Sequence, residues 1–241
     1  MINQIRDILH RFGIDLVRYK PQYSPGNSLV KLLGNAGVNV FVDIGANTGQ
    51  TGMSLINEGF KGKIISFEPL SKAFKIIKKT SSSHKNWKVV CAAVGDKNGK
   101  IEINISDNLQ SSSILPMLKK HVEADPKSKF IGKEKTAIYK LDNILLTFIK
   151  PKDRIFVKID SQGYEDKIVK GAKKSLARAQ GIQLELSLTP LYKGEKNYDE
   201  MLKKLDKLGF ILCQVYPGFT DPKTGQLLQM DGVFFRKNLI K

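Results

Sequence analysis

Short apolar runs alternate along this chain with segments that repeat apolar residues at helical spacing. Seven runs have the length and composition of buried strands, at about 39–44, 63–68, 87–93, 154–160, 181–187, 209–216 and 229–236. Four segments have the helical spacing, at about 50–58, 70–80, 164–178 and 197–208. This alternation predicts an α/β fold in which a doubly wound, parallel sheet carries helices on both faces.

The alternation breaks between about residues 96 and 150. The segment GDKNGKIEINISD predicts a hairpin with its turn at Asn98-Gly99, and a serine-rich loop follows around Ser111 to Ser113. A charged stretch, KKHVEADPKSKFIGKEK, comes next. Loops of this length within a domain are usually functional lids or disordered segments, so this region is interpreted as an insert.

Residues 1–37 are predicted to form an N-terminal helical appendage to a single domain, 38–241. Four apolar residues recur at the spacing of one helix: Ile5, Ile8, Leu9 and Phe12. We expect this face to dock on the chain's own domain, which is the commoner arrangement for an amphipathic helix. Contact with an anionic membrane is the alternative, because basic residues lie nearby. These residues are Arg6, Arg11, Arg18 and Lys20.

Length and composition are those of an ordinary globular chain. The 241 residues, 41% of them hydrophobic, suffice for one well-filled domain, and no run approaches the roughly 20 apolar residues of a membrane-spanning helix. The N-terminus lacks the pattern of a secretory signal, so a cytoplasmic location is expected, with peripheral contact at the inner membrane face as an addition. Cys91 and Cys213 lie in apolar runs and are expected to be buried, without a disulfide or a zinc site.

The net charge is strongly positive. Lysine and arginine number 40 against 23 acidic residues, which gives +17 and favours attraction to nucleic acid, an anionic membrane, or an acidic glycan or lipid precursor. The lysines are interleaved with acids, as in KKLDKLGF, which is equally typical of a solvated surface. Charge therefore restricts the partners without selecting one.

The segment VNVFVDIGANTGQTGMSL, residues 38–55, is typical of a strand, a nucleotide-binding turn and a helix. Its glycines, Gly45, Gly49 and Gly52, do not match G-x-G-x-x-G. The turn also lacks the Gly-Lys-Ser/Thr ending of a phosphate-binding loop. Dinucleotide and triphosphate ligands are therefore disfavoured.

Acidic residues at two strand ends narrow the ligand further. Asp43 would repel phosphates but suits a cationic ligand without them, such as S-adenosylmethionine with its ammonium and sulfonium groups. Glu68-Pro69 ends the next strand, where a carboxylate can accept hydrogen bonds from a ribose diol. The alternative is purely structural: Asp43 as a charge partner for a helix N-terminus, and Glu68 as a neighbour of the helix start at Pro69.

A third cluster, RIFVKIDSQGYEDKIVKGA, places Asp160 at the end of another strand. Ligands of open α/β sheets bind beyond the carboxyl ends of the strands, so Asp160 is predicted to face the same crevice as Asp43 and Glu68. The next strand carries Glu185, and the last one carries Asp231. Because an unpaired buried carboxylate is costly, Glu185 should face the crevice, pair with a cation or hold a metal.

Over about residues 38–236 the chain resembles the FkbM family of S-adenosylmethionine-dependent methyltransferases. The resemblance rests on the order and spacing of VDIGANTG, FEP, VKIDSQGYE with KGA, LEL and DGVFF. The VKID-x-x-G-x-E element is the most distinctive, although Ser161, Gln162 and Tyr164 stand where members often have other residues. The resemblance implies a class I methyltransferase (Rossmann-like) fold with a seven-stranded sheet, mostly parallel with an antiparallel C-terminal strand. It also implies O-methylation of sugar or polyketide hydroxyls.

Carried over to this chain, the resemblance gives S-adenosylmethionine as the cofactor and matches Asp160, Gly163 and Glu165 to the second motif. The predicted cofactor-binding residues are Asp43, Gly45, Asn47, Gly49, Glu68, Pro69 and Ala93.

A sugar hydroxyl needs a base to take its proton or a cation to lower its pKa, and carboxylates serve either purpose. Asp160 and Glu185 are the predicted catalytic residues. No metal ligand is predicted; Mg²⁺ is the alternative, although two acids are an incomplete ligand set. His121 is a weaker candidate for the base, and Tyr164 and Tyr192, like Ser111 to Ser113, are candidates for contact with the acceptor.

The predicted acceptor is a hydroxyl of a sugar, a glycan or glycolipid, or a related natural product, and the net charge allows it to be anionic. An RNA methyltransferase is the first alternative, disfavoured because no Asn/Asp-Pro-Pro-Tyr-type site or reactive loop cysteine is found. A non-catalytic module that retains the fold is the second, disfavoured by the intact acids at the strand ends.

Overall fold

The computed structural model describes residues 2–14 and 25–239. Its helices are α1 (Ile2–His10), α2 (Pro25–Asn35), α3 (Gln50–Asn57), α4 (Ser71–Ser81), α5 (Lys119–Ala124), α6 (Leu141–Ile144), α7 (Glu165–Gly171), α8 (Lys173–Arg178) and α9 (Tyr198–Lys207). Its strands are β1 (Val40–Ile44), β2 (Lys63–Phe67), β3 (Trp87–Val90), β4 (Ala93–Gly95), β5 (Gly99–Ser106), β6 (Phe130–Lys140), β7 (Ile155–Ile159), β8 (Ala179–Ser187), β9 (Phe210–Pro217) and β10 (Gln229–Arg236).

Seven strands form the central sheet, in the order β3-β2-β1-β7-β8-β10-β9. Neighbouring strands are parallel except β10, which runs antiparallel to β8 and β9. These are the seven strands that the sequence predicts, so the predicted seven-stranded, mostly parallel sheet with an antiparallel C-terminal strand is confirmed. The strand order reverses between β1 and β7, and the ligand of a doubly wound sheet binds beyond the carboxyl ends at such a point.

The two faces of the sheet carry separate apolar clusters. Alternate residues of β1 belong to one cluster: Val40, Val42 and Ile44. Phe41 belongs to the other, and its ring stacks on that of Phe156 with the centroids 5.3 Å apart. Burial on both faces explains the nearly continuous apolar runs VFVDI and IFVKI. The two charged residues in these runs, Asp43 and Lys158, lie opposite each other in the register.

A smaller sheet has the order β4-β6-β5, with β4 parallel and β5 antiparallel to β6. The predicted hairpin at Asn98-Gly99 is therefore wrong: Ala93 and Gly99 both pair with Ile138, so β6 lies between the two segments. The side chain of Asn98 accepts a hydrogen bond from the Lys140 N–H at 2.9 Å, which joins the turn to the intervening strand. The region 96–150 is thus largely built of regular elements.

The N-terminal region contains a helix that the hydrophobic pattern does not identify. Leu29 and Leu33 of α2 are buried in the cluster that contains Phe41 and Phe156. The predicted leading helix is α1, whereas the basic residues at 18 and 20 lie outside the described residues. Among residues 2–14 and 25–239, no helix combines the length and the apolar content needed to cross a bilayer.

The expectation that both cysteines are buried is wrong. Cys91 is exposed and lies outside the strands, between the end of β3 at Val90 and the start of β4 at Ala93. Cys213 is half-buried, since β9 is an edge strand of the central sheet. Both thiols are free.

Candidate active site

A cavity of about 450 Å³ lies beyond the carboxyl ends of β1, β2 and β7. It is lined by seven of the predicted site residues: Gly45, Asn47, Glu68, Pro69, Ala93, Asp160 and Glu185. The structure therefore brings together three strand ends and the side chain of β8 that the sequence predicts to share one crevice. Asp43 and Gly49 do not line the cavity.

The turn after β1 is packed against the end of β7. Gly45 has a φ of 79°, and a Cβ built on it would lie 1.7 Å from the carbonyl oxygen of Asp160. The N–H of Asp160 donates to the carbonyl of Ile44 at 3.0 Å, which continues the strand pairing up to this point. Gly45 is thus required for the close approach of two backbone segments, as well as for its positive φ.

Gly49 has a packing role that the sequence does not predict, while its contact with the cofactor stays a prediction. It precedes α3 with a φ of 95°, and a Cβ on it would lie 2.9 Å from Ile77 and 3.1 Å from the Trp87 ring. The absence of a side chain lets α3 approach α4 and β3. No side chain caps this end of α3, and Gln50 and Thr51 of its first turn line the cavity.

Asp43 is completely buried on β1, and neither carboxylate oxygen has a hydrogen-bond partner within the described part of the chain. Burial raises its pKa to about 6, although the nearby Lys158 ammonium opposes that rise. An unsatisfied buried carboxyl group next to a ligand cavity is costly and fits a site that receives a cationic group.

Glu68 follows β2 and is buried in the cavity wall. One carboxylate oxygen accepts from the N–H of Asn47 at 2.7 Å, and the other accepts from the N–H of Leu70 at 2.8 Å. Burial raises the pKa of Glu68 to about 7, against the lowering effect of these two hydrogen bonds. Its carboxylate therefore ties the turn after β1 to the turn after β2.

Asp160 forms an ion pair that links the cavity to the buried sheet. Its Oδ2 accepts from Lys158 Nζ at 3.0 Å; the Asp160 side chain is 35% exposed, whereas that of Lys158 is 9% exposed. Burial alone would lower the pKa of Lys158, but the carboxylates of Asp160, Asp43 and Asp231 raise it above its ordinary value. Lys158 is not among the predicted site residues, although a lysine within an apolar strand signals a buried ion pair.

Gln162 connects Asp160 to Glu185. Its Nε2 donates to Asp160 Oδ1 at 3.1 Å and to Glu185 Oε2 at 2.9 Å, while its Oε1 accepts from the hydroxyl of Tyr192 at 2.9 Å. Glu185 Oε2 also accepts from Gln229 Nε2 at 3.0 Å. The two predicted catalytic carboxyls are therefore held in one hydrogen-bonded network.

The environment separates the pKa values of these two carboxyls. Burial would raise the pKa of Asp160, but the Lys158 ammonium and the Gln162 amide lower it below its ordinary value. Burial, together with the carboxylates of Asp160 and Glu165, raises the pKa of Glu185 well above its ordinary value. Asp160 therefore ionises first, and such divergence is typical of acid–base sites.

Three residues of the cavity wall have strained backbones. Asn47, Leu109 and Gln162 have φ values of 48°, 61° and 54°, and within residues 2–14 and 25–239 they are the non-glycine residues with positive φ. All three line the cavity. Because strain of this kind costs free energy and is concentrated at functional sites, it supports the cavity as the site independently of the sequence motifs.

The insert supplies one wall of the cavity. Leu109, Ser112, Ser113 and Ile114 line it, and Ser113 Oγ donates to the carbonyl of Gln162 at 2.7 Å. The insert is thus attached to the turn that carries Gln162, whose amide bridges Asp160 and Glu185.

The remaining candidate residues differ in their positions relative to the cavity. His121 is buried against Tyr192 with the ring centroids 5.2 Å apart, it does not line the cavity, and burial lowers its pKa to about 4. Tyr164 lines the cavity, whereas Tyr192 reaches it only through Gln162. Asp231 pairs with Gln183, whose Nε2 donates to it at 3.1 Å. Among the described residues, no group of three or more His, Cys, Asp or Glu is arranged to hold a metal ion.

The fold and this site define a class I S-adenosylmethionine-dependent methyltransferase. The sequence profile described as the Methyltransferase FkbM domain matches residues 43–212. The chain therefore belongs to the FkbM methyltransferase family, which confirms the resemblance carried by its motifs.

Several solved structures are similar to this chain at low identity, each with a TM-score below 0.5. An rRNA methylase from Streptococcus thermophilus matches with 10% identity and a TM-score of 0.49, over 92% of this chain and 99% of that one. Magnesium protoporphyrin IX methyltransferase from Synechocystis, with bound S-adenosylhomocysteine, has 10% identity and a TM-score of 0.49, over 98% and 96%. TehB from Haemophilus influenzae has 7% identity and a TM-score of 0.49, over 87% and 62%. No significant match was found among curated proteins.

The cofactor of this methyltransferase is S-adenosylmethionine, which supplies a methyl group carried on a sulfonium. The cavity residues fit it, since Glu68 offers a carboxylate at the end of β2 and Gly45 leaves the turn after β1 without a side chain. Asp43 adds a buried negative group below the wall. The individual roles of these residues in binding stay predictions.

Proposed function

We propose that the protein transfers the methyl group to a hydroxyl oxygen of a sugar, a glycan or glycolipid, or a related natural product. The observation that carries this proposal is the bridged pair of carboxyls, Asp160 and Glu185, in the wall of the cofactor cavity. A hydroxyl acceptor must lose a proton during transfer, and this pair offers one carboxyl whose pKa is lowered beside one whose pKa is raised.

In this mechanism Asp160 is the base. Its two oxygens each accept one hydrogen bond, from Lys158 and from Gln162, and each retains acceptor capacity toward a hydroxyl in the cavity. When bound, S-adenosylmethionine would supply the methyl group from its sulfonium and would be left as the neutral thioether, while an oxygen of Asp160 would take the proton that the acceptor hydroxyl loses. Gln162 and Lys158 hold the carboxylate in one orientation, which is the positioning that an in-line displacement requires.

The charge of the cavity supports a neutral reacting group. Among its lining residues, the carboxyls of Glu68, Asp160 and Glu185 face a single ammonium, that of Lys158. The whole chain carries +17, but the ammonium in this wall is already paired with Asp160, so it offers phosphate groups little attraction. An anionic acceptor would therefore keep its charged groups outside the cavity and present a hydroxyl to Asp160.

RNA is the second candidate acceptor, and the net charge of +17 favours it. An extruded base would need stacking partners, and the aromatic residues in the cavity lining are Phe67, which is completely buried, and Tyr164. The cavity therefore supports a hydroxyl acceptor better than a stacked base.

The experiment is methyl transfer from labelled S-adenosylmethionine, with glycan, glycolipid, nucleotide-sugar and RNA fractions offered separately. We expect label in a carbohydrate-containing fraction, and Asp160→Asn to reduce turnover by about 10²–10⁴-fold while cofactor affinity stays close to that of the parent. Asp206→Asn, at an exposed ion pair with Lys237, is the matched control and should be fully active. Label in RNA alone would establish the alternative, and cofactor binding without transfer to any fraction would indicate a non-catalytic module.

A further inference from the structure

Helix α1 and the turn after it expose large apolar side chains. Ile5, Ile8, Phe12 and Ile14 are 45%, 57%, 75% and 52% exposed. Isolated exposed apolar residues are ordinary, but a contiguous group marks an interaction surface. None of the described side chains of α1 belongs to the apolar clusters of the domain. The sequence predicts that this face docks on the chain's own domain, whereas in the structure Ile5 and Ile8 are exposed.

The apolar face has basic flanks. At about 100° per residue, Ile5 and Ile8 of α1 project within about 60° of each other. Phe12 adds an exposed apolar side chain just past the helix end, and Arg6 and Arg11 lie beside these residues in the sequence. Exposed apolar side chains accompanied by cations are typical of a segment that lies in a membrane interface.

We propose that α1 and the turn after it bind the surface of an anionic membrane, with Ile5, Ile8 and Phe12 among the acyl chains and Arg11 at the level of the lipid phosphates. The nine residues of α1 extend about 14 Å, roughly half of the hydrocarbon thickness, so the helix lies along the surface.

Charge selects a membrane over a second copy of the chain as the occupant of this face. Each copy carries +17, so a dimer through α1 would bring like charges together, whereas an anionic bilayer attracts them. The proposal is independent of the proposed acceptor, because the surface is separate from the cavity and its binding can be measured without methyl transfer.

The test is sedimentation of the full chain with vesicles of phosphatidylglycerol and phosphatidylcholine, compared with vesicles of phosphatidylcholine alone. We expect binding to the anionic vesicles that weakens with salt, a loss of at least about tenfold in partition for the combined Ile8→Ser and Phe12→Ser variant, and a loss of about fivefold for Arg11→Gln. Leu146→Ser is the matched control: Leu146 is 60% exposed on a turn remote in sequence from α1, and this variant should bind like the parent.

Unchanged cofactor binding by every variant would show that each is folded. Equal partition to neutral and anionic vesicles, or undiminished binding by the Ile8 and Phe12 variant, would overturn the proposal. The proposal would also be overturned if the parent protein formed a dimer that this variant abolishes and bound neither kind of vesicle.

Discussion

The carbonyl oxygen of Asp160 occupies the position at which any other residue in place of Gly45 would carry its Cβ, since a Cβ built there lies 1.7 Å from that oxygen. The turn that follows β1 and the end of β7 are therefore in direct backbone contact. One end of this contact belongs to the predicted cofactor turn and the other to the proposed base. The relative position of the two functions is thus fixed by the backbone, which varies less than flexible side chains do.

Replacement of Gly45 by alanine should disturb both stability and cofactor binding. The methyl group would collide with Asp160 and would also force an L-residue to keep a φ of 79°, so we expect a loss of more than about 2 kcal/mol in the free energy of unfolding. Gly59→Ala is the matched control, because Gly59 has a φ of 94° but nothing within 4 Å of its Cβ position. It should cost only about 1 kcal/mol. Denaturant unfolding and calorimetric titration with S-adenosylmethionine measure both effects, and equal costs for the two variants would refute the steric argument.

The fold could be predicted because its signals are local. Each central strand is an apolar run, and Glu68 and Asp160 each come directly after such a run, so their meeting at one sheet edge follows from parallel pairing. The misassigned hairpin at Asn98-Gly99 has the opposite cause. A strong turn sequence suggests that adjacent segments pair, but β6, about forty residues further along the chain, lies between them, and no local pattern encodes that insertion.

The site was predicted less completely, because several of its interactions depend on register. Lys158 on β7 contacts Asp160, which lies two residues further on and just past the strand end, and it lies opposite Asp43 on β1. Gly49 was assigned to the ligand, although its lack of a side chain serves the packing of helix α3 against Trp87. A spaced-glycine pattern cannot distinguish a close ligand from a close side chain, and only the packed structure separates them.

Removal of the buried ammonium should move the pH dependence of methyl transfer. Lys158 lowers the pKa of Asp160, so Lys158→Met should raise that pKa. Since the base must be unprotonated, the acid limb of the rate profile should shift to higher pH, and the rate at low pH should fall more than the rate at high pH. Lys167→Met, which removes a half-exposed lysine 3.6 Å from Asp96, is the control and should leave the limb in place. A uniform loss of rate at every pH would instead mean that Lys158 has a structural role alone.

The free energy of unfolding without cofactor should contain a contribution from Glu68 that is lost as the pH rises. Burial raises the pKa of Glu68 from 4.5 in the unfolded chain to about 7 in the fold. Between pH 4.5 and about 7 the folded state therefore binds more protons than the unfolded chain. The stability that Glu68 contributes is fully present below pH 4.5 and is lost as the pH rises through about 7. Glu68→Gln should remove this decline, so the difference between parent and variant should change by about 1–3 kcal/mol across the window. His121, with its pKa lowered to about 4, contributes with the opposite sign to both proteins and cancels in the difference. Parallel pH profiles would exclude a raised pKa at Glu68.

The amide of Gln162 should determine how the two carboxyls of the site act together. Gln162→Glu preserves size but replaces the donor to Asp160 and Glu185 with a third carboxyl group, so the network must take up a proton or separate. We expect turnover to fall by at least about tenfold with little change in cofactor affinity, and we expect the acid limb of the rate profile to move upward because the added carboxyl raises the pKa of Asp160. Gln180→Glu is a control of the same chemistry on β8, where the amide donates only to the carbonyl of Arg178. Steady-state rates over a pH series, read beside calorimetric affinities, separate this positioning role from a loss of folding. A fully active Gln162→Glu enzyme with an unshifted profile would show that the bridge between Asp160 and Glu185 is not used in the reaction.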